Sequence, residues 1–406
     1  MPDIVDLVEV RRASRSDGTL SRATADASSK ALPAREPALT PLTAVDIGDW
    51  RALSQRAIEP NGYYLPDWEL AVNASAPGRN GASALSAWRG DRLIGLMPVV
   101  PLSRAMQIPL PALVSAHPYG TLCTPPLDRD MAEEAARGLM QAARSNGARA
   151  LLMREVALDG TAMKAFHAAL RGEGLRARIL NWHLRASLDA KRDAEELLHD
   201  ALGAKKLKEL RRQRHRLSEH GAVKFDVARS PHDVANALET FLKLEASGWK
   251  GQRGTALAQV EGDATFIRRA MKALAETRNC KIVTLSAGGT PVASGIVLLH
   301  QARAFFFKIG VDERFAKYSP GVQLTLELTR HLCADPAITS ADSTASPDHP
   351  MINPIWRGRF AIGDVLIPLR PNDPAVTLIH GALVARERGL DAARWGVHLI
   401  RTWRKG

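Results

Sequence analysis

Apolar stretches joined by a glycine-rich turn occur twice along this chain. Ala84–Pro101 has an apolar stretch on each side of a central Arg-Gly-Asp, a pattern that predicts a β-hairpin. Lys281–Leu299 repeats this arrangement around its own glycine-rich turn. In both segments a glycine comes early in the second stretch, at Gly95 and at Gly295. We therefore predict one hairpin in each half of the chain.

The elements predicted after each hairpin are also similar in the two halves. Helical spacing of apolar residues predicts a helix over Met131–Asn146 in the first half and over Val322–Cys333 in the second. A strand-like stretch comes next in both, at Ala148–Val156 and at Ala337–Asp342. The predicted fold class is α/β (α+β), with two duplicated units, each built on a mostly antiparallel mixed sheet flanked by helices. A chance similarity between two unrelated α/β stretches is the alternative that this pattern leaves open.

The two ends of the chain differ from these units in composition. Residues 11–40 are rich in Arg, Ser, Ala and Thr and have almost no large apolar residues, so we predict a disordered tail over residues 1–40. The first unit is expected over residues 41–190 and the second over residues 191–370. A helix within residues 371–406 is expected to come next and to pack on the second unit. Its candidate buried residues are Leu378, Leu383, Leu390, Val397 and Ile400.

Charge and cysteine content limit the possible partners. The 406 residues are 45% apolar and 24% charged, as in a globular protein with a large core. The net charge of +12 suits an anionic partner, such as a nucleotide cofactor, RNA or a lipid surface. The three cysteines lie far apart in sequence, which argues against disulfides and a zinc site and suits a reducing compartment.

The sequence predicts no segment that enters a membrane. The N-terminal MPDIVDLVEV lacks the basic and apolar regions of a secretory signal. The uncharged stretch Ile282–His300 is about as long as a membrane span, but its central SAGGTP sequence favours a turn between two strands. We therefore expect a cytoplasmic protein.

Half of the excess charge lies in one short segment between the two units. Residues 203–217 contain seven Lys or Arg against one acid, a net charge of +6. Such a basic face suits solvation, contact with phosphate or RNA, or contact with a membrane surface. The lack of aromatic residues among the basic ones argues against single-stranded nucleic acid. Four apolar residues at helical spacing predict that the segment is an amphipathic helix: Leu202, Leu207, Leu210 and Leu217.

The strongest functional signal is the segment Ala304–Leu332. Three consecutive phenylalanines and two β-branched residues predict a strand, and a Ser-Pro-Gly sequence then predicts the start of a helix. Ser319 is the predicted N-cap and Pro320 the predicted first helical residue. Free backbone N–H groups at a helix start can bind an anion, and Gly321 would let a phosphate approach closely. An ordinary capped helix is the alternative explanation of these residues.

This segment carries a resemblance to a known family. The run FFFKIGVDERFAKYSPGVQLTLELTRHL, with Asp342 and PDHPMINPIW after it, resembles the BioF2-like acetyltransferase domain of the GNAT superfamily. That branch includes the CelD/BcsL type, associated with cellulose and exopolysaccharide synthesis, and FemAB-type aminoacyl transferases are related to it. The basic segment and the sequence up to Trp249 resemble the start of the same domain. The resemblance covers about residues 195–370, and the first half is more loosely similar to the partner unit of tandem members.

The resemblance implies a site for the donor substrate. In GNAT proteins the loop before this helix binds the coenzyme A pyrophosphate through an Arg/Gln-x-x-Gly-x-Gly/Ala run. Arg314 matches the first position, whereas Lys317 and Ser319 stand at the two small positions. FemAB-type members use aminoacyl-tRNA instead, which the basic segment would also suit. The residues implied in donor binding are Lys308, Arg314, Lys317, Ser319, Gly321 and Val322.

Acyl transfer from a thioester also needs a base, because an amine acceptor must lose a proton to attack. Asp342, Asp348 and His349 come after the predicted strand and are the candidates for this base. Tyr318 is a candidate proton donor to the leaving thiolate, and anchoring of the turn is the alternative for it.

The acceptor pocket is predicted to include Glu245, Trp249 and Asp348, with core packing as the alternative for Trp249. The sequence thus predicts an N-acyltransferase that uses acyl-coenzyme A, needs no metal, and acts on an amine or hydroxyl of a sugar or cell-envelope precursor. A FemAB-type transferase dependent on aminoacyl-tRNA is the first alternative. A non-catalytic GNAT-fold module of a polysaccharide-synthesis system is the second. Nucleotide-binding glycine motifs, the nucleophile elbow of hydrolases and the His-Glu-x-x-His metal motif are absent from the sequence.

Overall fold

Twelve β-strands form one sheet in the computed structural model, which describes residues 36–403. The strands are β1 (Ala38–Pro41), β2 (Ser83–Arg89), β3 (Arg92–Pro101), β4 (Ala112–Ser115), β5 (Ala150–Ala157), β6 (Arg178–Asp189), β7 (Val223–Ala228), β8 (Cys280–Ala287), β9 (Thr290–His300), β10 (Arg303–Val311), β11 (Ser340–Asp342) and β12 (Gly358–Pro368). The helices are α1 (Ile47–Gln55), α2 (Pro66–Ser75), α3 (Leu102–Met106), α4 (Ala132–Ser145), α5 (Thr161–Gly172), α6 (Ala194–Ser218), α7 (Pro231–Ser247), α8 (Trp249–Gln252), α9 (Glu261–Glu276), α10 (Pro320–Cys333) and α11 (Pro374–Trp403).

The order of the strands in the sheet is symmetric about its middle. It reads β1-β2-β3-β4-β5-β12-β6-β11-β10-β9-β8-β7, so each of β1–β6 has a counterpart among β7–β12. The directions match as well, because β4 is parallel to β5, β10 is parallel to β11, and the other neighbouring pairs are antiparallel. This symmetry confirms the predicted duplication and the mixed, mostly antiparallel α/β fold.

The two halves exchange one strand at the centre of the sheet. β6 ends the first half of the sequence but lies between β12 and β11, and β12 from the second half lies between β5 and β6. Each half therefore completes the sheet of the other, and the described residues form one compact unit. The boundary predicted near residue 190 falls between β6 and α6, so it divides the sequence without dividing the sheet.

The predicted hairpins are present as β2–β3 and β8–β9, and the glycine in each second strand faces the helix that comes next. A Cβ added to Gly95 would lie 3.1 Å from Ala135 of α4, and one added to Gly295 would lie 3.4 Å from Leu324 of α10. α4 therefore packs closely against Gly95. At Gly295 the contact with α10 is an ordinary one, and the Phe306 ring of β10, 2.8 Å from the added Cβ, is what leaves no space for a side chain. The β8–β9 hairpin also confirms that the uncharged stretch is two strands. Among residues 36–403, no helix combines the length and the apolar character of a membrane span.

The first strand starts inside the predicted tail. Residues 1–35 of that tail lie outside the described residues. β1 pairs with β2, placing Leu39 opposite Leu85, so the prediction of disorder is wrong for the last residues before Pro41. A strand this short, with one large apolar residue, has too few positions to show a period in sequence.

The C-terminal helix is present as α11, but it packs on a different surface from the one predicted. Its buried side, which includes Leu383, contacts β4, β5 and β12, so it covers the first half of the sheet rather than the second. Leu378 is 60% exposed and Leu390 is 36% exposed, so the prediction that they are buried is wrong. Val397 and Ile400 lie outside the residues whose side chains are described. The strand exchange explains the error, because β12 returns the chain to the first half just before α11.

Candidate active site

A cleft opens where the parallel strands β10 and β11 part. The two strands pair from Arg303 opposite Ser340 to Phe305 opposite Asp342, and β11 then ends. A β-bulge comes next in β10, between Phe306 and Lys308. The cleft beside this bulge has a volume of about 130 Å³. Its walls include Lys250, Phe306, Lys308, Thr344, His349 and Met351.

β6 has a free edge on the same side of the sheet. It pairs with β11 over Ser187–Asp189, whereas its pairing with β12 continues to Arg178. Within residues 36–403 no strand pairs with this edge before Ser187. Ile179, Trp182 and Leu184 are 54%, 62% and 48% exposed there. The sequence did not indicate these exposed apolar side chains, because exposure depends on which elements cover the strand.

The helix predicted after Ser319 begins at Pro320, and Ser319 is its N-cap residue as predicted, but the serine side chain does not cap the helix. Ser319 has a left-handed conformation, with φ of 53°, and its side chain accepts no capping hydrogen bond. The first backbone N–H groups of α10 are therefore not occupied by a cap. Gly321 is buried, and a Cβ there would lie 3.1 Å from the sulfur of Met351 and 3.2 Å from Val311. Close packing explains why a glycine occupies this position, so the glycine alone is not evidence of a phosphate-binding site.

Two of the predicted phosphate ligands lie in the 3₁₀ turn Glu313–Tyr318, directly before α10. Arg314 Nη2 lies 2.7 Å from Asp312 Oδ2, and the arginine side chain is 79% exposed. Lys317 Nζ lies 4.9 Å from the centre of the Tyr318 ring and is also exposed. Both cations are thus at the helix start and open to solvent.

α6 brings the basic segment beside α10. Three of its four predicted apolar positions are buried, which confirms the amphipathic helix. Gln323 of α10 donates a hydrogen bond from Nε2 to the carbonyl oxygen of Leu210, at 2.8 Å. Arg214 is paired with Glu327 of α10, at 3.0 Å. The other basic side chains of the segment are exposed: Lys205, Lys206, Lys208, Arg211, Arg212 and Arg216.

Tyr318 connects the turn before α10 to His220, just after the end of α6. Its hydroxyl lies 2.9 Å from Nε2 of His220, and its ring packs against the rings of His220 and Phe315. These contacts support the anchoring alternative. The role of Tyr318 as a proton donor to a thiolate stays a prediction.

Glu245 lies beneath the cleft and holds two lysines. Its Oε1 is 3.1 Å from Nζ of Lys250 and 3.4 Å from Nζ of Lys308, and its side chain has no exposed surface. Its other oxygen, Oε2, accepts a hydrogen bond from the backbone N–H of Leu257. Burial lowers the pKa of Lys308, and the charge of Glu245 opposes this shift. Lys308 therefore belongs to the cleft rather than to the cations at the start of α10.

His349 lines the cleft and is the predicted base that lies nearest to these lysines. Burial, and to a smaller degree the charge of Lys250, lower the pKa of His349, so its ring is neutral at pH 7. Its Nδ1 accepts a hydrogen bond from the backbone N–H of Met351, at 3.3 Å. Asp348 is exposed, at the outer side of the same loop. The structure thus brings His349, but not the Asp348 carboxylate, into the cleft.

Asp342 occupies a different environment from His349. Its side chain is 1% exposed, and its Oδ2 is paired with Arg185 at 3.3 Å. Its Oδ1 accepts a hydrogen bond from the backbone N–H of Thr344, at 2.8 Å. Both carboxylate oxygens are therefore engaged with protein groups.

Trp249 lies at the surface, so the core-packing alternative for it is wrong. Its side chain is 50% exposed, and its backbone N–H donates to Glu313 Oε1 at 2.7 Å. The Lys250 ammonium and the Arg253 guanidinium lie 5.9 Å and 5.0 Å from the centre of its ring. Lys250, which comes directly after this tryptophan, was not predicted as a site residue.

The corresponding helix start in the first half is more acidic. α4 is the counterpart of α10, and its first turn contains Glu133 and Glu134. Asp128, Arg129 and Asp130 precede it, and Asp128 is paired with Arg56 and Arg92. The turn before α10 carries two acids and two cations, and the first turn of α10 has no acid. Acidic groups at a helix start repel a phosphate. The charge pattern therefore favours one anion site, in the second half.

The first half instead contributes a loop to the second. Tyr119, between β4 and α4, donates a hydrogen bond to Asp263 of α9 at 2.7 Å. The hydroxyl of Thr121 donates to the carbonyl oxygen of Thr344, at 3.2 Å. The two halves thus meet beside the cleft. Among the described residues, no group of His, Cys, Asp and Glu side chains is arranged to hold a metal ion.

The basic segment of α6, the turn before α10 and most of the cleft lie within one segment of the chain that matches a known family. Residues 204–349 match the model of the acetyltransferase (GNAT) domain family. This part of the chain is a GNAT domain. It runs from the basic segment of α6 to His349, so it contains the cations at the start of α10 and most of the cleft, whereas Met351 lies just beyond its end. No protein of curated function matches the chain in sequence.

Solved structures share the fold that contains this GNAT domain. FemX is similar with a TM-score of 0.54 at 11% identity, over 83% of this chain and 98% of the FemX chain. The C-terminal DUF2156 domain of an Agrobacterium fabrum protein is similar with a TM-score of 0.51 at 13% identity, over 83% and 95% of the two chains. At these identities the similarity concerns the fold, and it extends over both halves of the sheet.

Proposed function

We propose that the chain is an acyltransferase that moves an acyl group from acyl-coenzyme A to an amine or hydroxyl acceptor. The observation that carries this proposal is the position of the cleft next to the start of α10. Met351 lines the cleft, and its sulfur also packs against Gly321 in the first turn of α10. A donor with phosphates at the helix start can therefore reach the cleft with its acyl end.

His349 is the proposed base. In the reaction the acceptor nitrogen or oxygen forms a bond to the thioester carbonyl carbon, and the bond from that carbon to sulfur breaks. His349 takes the proton that the acceptor loses, and the thiolate leaves with the electron pair of the broken bond. A ring that is neutral at pH 7 has one nitrogen able to accept a proton. In His349 this nitrogen is Nδ1, so the ring gives up the 3.3 Å hydrogen bond from the Met351 N–H when it takes the proton. Arg314, Lys317 and the first N–H groups of α10 are proposed to hold the donor phosphates.

The first half of the chain is proposed to shape the acceptor side. Its loop reaches Asp263 and Thr344 at the cleft, and its own helix start lacks the charge needed for a second donor. Trp249 and the free edge of β6 are open to solvent near this region, so they are proposed to contact the acceptor. A sugar or cell-envelope precursor, as in exopolysaccharide synthesis, is the acceptor class that we propose.

Charge reversal in the turn before α10 tests the donor site. We expect acetyl-coenzyme A and free coenzyme A to bind the purified protein with micromolar dissociation constants in a calorimetric titration. Lys317→Glu should weaken both by about tenfold or more, because it replaces a charge-assisted contact with repulsion. Lys272→Glu on α9 makes the same charge change at an exposed position and should leave binding unchanged. Absence of binding by folded wild-type protein would contradict the proposed donor and favour a tRNA donor or a non-catalytic module.

A donor of the aminoacyl-tRNA type is the second candidate, and the exposed basic face of α6 beside α10 favours it. We expect, if tRNA is the donor, that Arg211→Glu with Arg212→Glu lowers tRNA affinity by about tenfold or more and reduces the salt dependence of binding. Arg214 is left unchanged because it pairs with Glu327. The measurement is filter binding of tRNA at several salt concentrations, with Lys272→Glu as the control. Equal affinity of the double variant and the wild type would rule out this face as the tRNA site.

A further inference from the structure

A buried chain of contacts connects the first half of the sheet to the cleft. Arg185 on β6 is 1% exposed. Its Nη2 lies 2.9 Å from Glu155 Oε2 and donates to the carbonyl oxygen of Thr121 at 2.7 Å. Its Nη1 lies 3.3 Å from Asp342 Oδ2. One guanidinium therefore joins β5 and the loop of the first half to the end of β11 in the second.

The contacts continue from Asp342 to the mouth of the cleft. Asp342 Oδ1 accepts the backbone N–H of Thr344 at 2.8 Å. Thr344 has a positive φ of 48°, a conformation that a β-branched residue rarely adopts without support from its surroundings. Its hydroxyl donates to the carbonyl oxygen of Phe306 at 2.6 Å. Phe306 begins the bulge at which β10 and β11 part.

These contacts leave Asp342 poorly suited to be the base. Its Oδ2 is paired with Arg185, its Oδ1 accepts a hydrogen bond from the Thr344 N–H, and the side chain has almost no exposed surface. To accept a proton from an acceptor molecule, the carboxylate would have to give up Arg185 in a buried site, which is strongly unfavourable.

We propose that Asp342 is a positioning residue. Arg185 holds its carboxylate, and the carboxylate keeps Thr344 in its left-handed conformation. The cleft between β10 and β11 is thereby kept open. This inference rests on the proposed function in one respect, namely that the cleft receives the donor. The first half of the chain then controls the site in the second through Arg185. Strand β6, which the exchange places beside β11, is the element that carries this control.

The Thr344 hydroxyl provides a test that leaves the buried charges intact. Thr344→Val keeps the shape and β-branching but removes the hydrogen bond to Phe306, and Thr344→Ser keeps the bond. In full-length protein we expect Thr344→Val to raise amide hydrogen exchange in residues 343–352 by roughly fivefold or more, because one such bond is lost. It should weaken coenzyme A binding by a similar factor, and Thr344→Ser should restore both. Unchanged exchange in Thr344→Val would overturn the proposal.

Asp342→Asn separates positioning from proton transfer. The amide oxygen can still accept the Thr344 N–H, so we expect kcat to stay within about tenfold of the wild type and the pH profile to keep its shape, whereas loss of a general base costs about 10²–10⁴-fold. A loss of hundredfold or more with unchanged exchange of residues 343–352 would make Asp342 the base and overturn the inference. Arg185→Gln should increase that exchange, but it leaves the buried Asp342 carboxylate and the partly exposed Glu155 carboxylate unpaired, so its folding is checked first by circular dichroism.

The exchange measurement also distinguishes this inference from the proposed function. If wild-type protein neither binds nor uses acyl-coenzyme A or aminoacyl-tRNA, the proposed function fails. The difference in exchange between Thr344→Val and Thr344→Ser still decides whether the contact chain holds the cleft. Equal exchange in these two variants, with normal donor binding in both, refutes the inference and leaves the proposed function standing.

Discussion

Replacing His349 by alanine is expected to lower kcat by about 10²–10⁴-fold, with a smaller change in KM. The ring lies in the cleft beside Lys250, and its lowered pKa leaves it neutral and able to accept a proton at pH 7. The variant keeps the donor site at the start of α10, so coenzyme A should bind with nearly the affinity of the wild type. Steady-state kinetics with acetyl-coenzyme A and an amine acceptor measure the first effect, and calorimetry the second.

The pH dependence of the same reaction gives a second check on His349. Because the pKa of His349 is lowered, its neutral form persists at pH values below those at which an ordinary histidine becomes protonated. We expect kcat/KM of the wild type to fall on the acid side with a midpoint below the usual histidine pKa, and His349→Ala to lack this limb. His232→Ala, at an exposed position on α7, is the control. An acid limb that survives in His349→Ala would assign the proton transfer to another group.

Removing the Glu245 carboxylate should destabilise the protein strongly. Glu245→Ala leaves Lys250 and Lys308 without their buried anion and the N–H of Leu257 without an acceptor. Loss of one partner in a buried ion pair costs about 3–5 kcal/mol. Both lysine side chains are about one-fifth exposed, at 23% and 22%, so we expect the lower end, about 3 kcal/mol in the free energy of unfolding. Urea unfolding, monitored by circular dichroism, measures this loss in the free energy of unfolding.

The matched control for Glu245 is an ion pair at the surface. Glu239 on α7 pairs with Arg268 at 2.7 Å, and their side chains are 47% and 50% exposed. Glu239→Ala should therefore cost about 0.5 kcal/mol, the usual size for an exposed pair. Glu245→Gln, which can keep the bond to Leu257, should fall between the two alanine variants. Equal losses for Glu245→Ala and Glu239→Ala would show that the buried carboxylate does not stabilise this part of the fold.

The duplication was predictable because it is present in local patterns. Each hairpin, its glycine and the helix after it can be recognised within a short stretch of sequence, and the structure contains all of them. Local patterns are uninformative where a strand is too short to show a period, as in β1. They are also uninformative where burial depends on a distant partner, as for Leu378 in α11. The basic helix was predicted correctly because its apolar stripe and its charges both lie within one segment.

The candidate site was only partly predictable. The Ser-Pro-Gly pattern predicted the helix start, and the family resemblance, with which the match to residues 204–349 agrees, implied a donor site beside it. The resemblance could not show that packing requires a glycine at position 321, that the Ser319 side chain makes no capping hydrogen bond, or that Trp249 is half-exposed. Each of these depends on what a distant segment places beside the residue.

The sequence by itself determined that this protein consists of two duplicated α/β units, that half of its excess positive charge lies in one helix, and that a helix begins after Ser319 in the second unit. The tertiary structure alone decided that β6 and β12 are exchanged, that α11 covers the first half, and that Arg185 joins Glu155 to Asp342. The physical reason is the range of the interactions. Helical spacing and turn chemistry act between residues close in sequence, whereas a shared sheet and a buried ion pair bring together residues that are far apart along the chain.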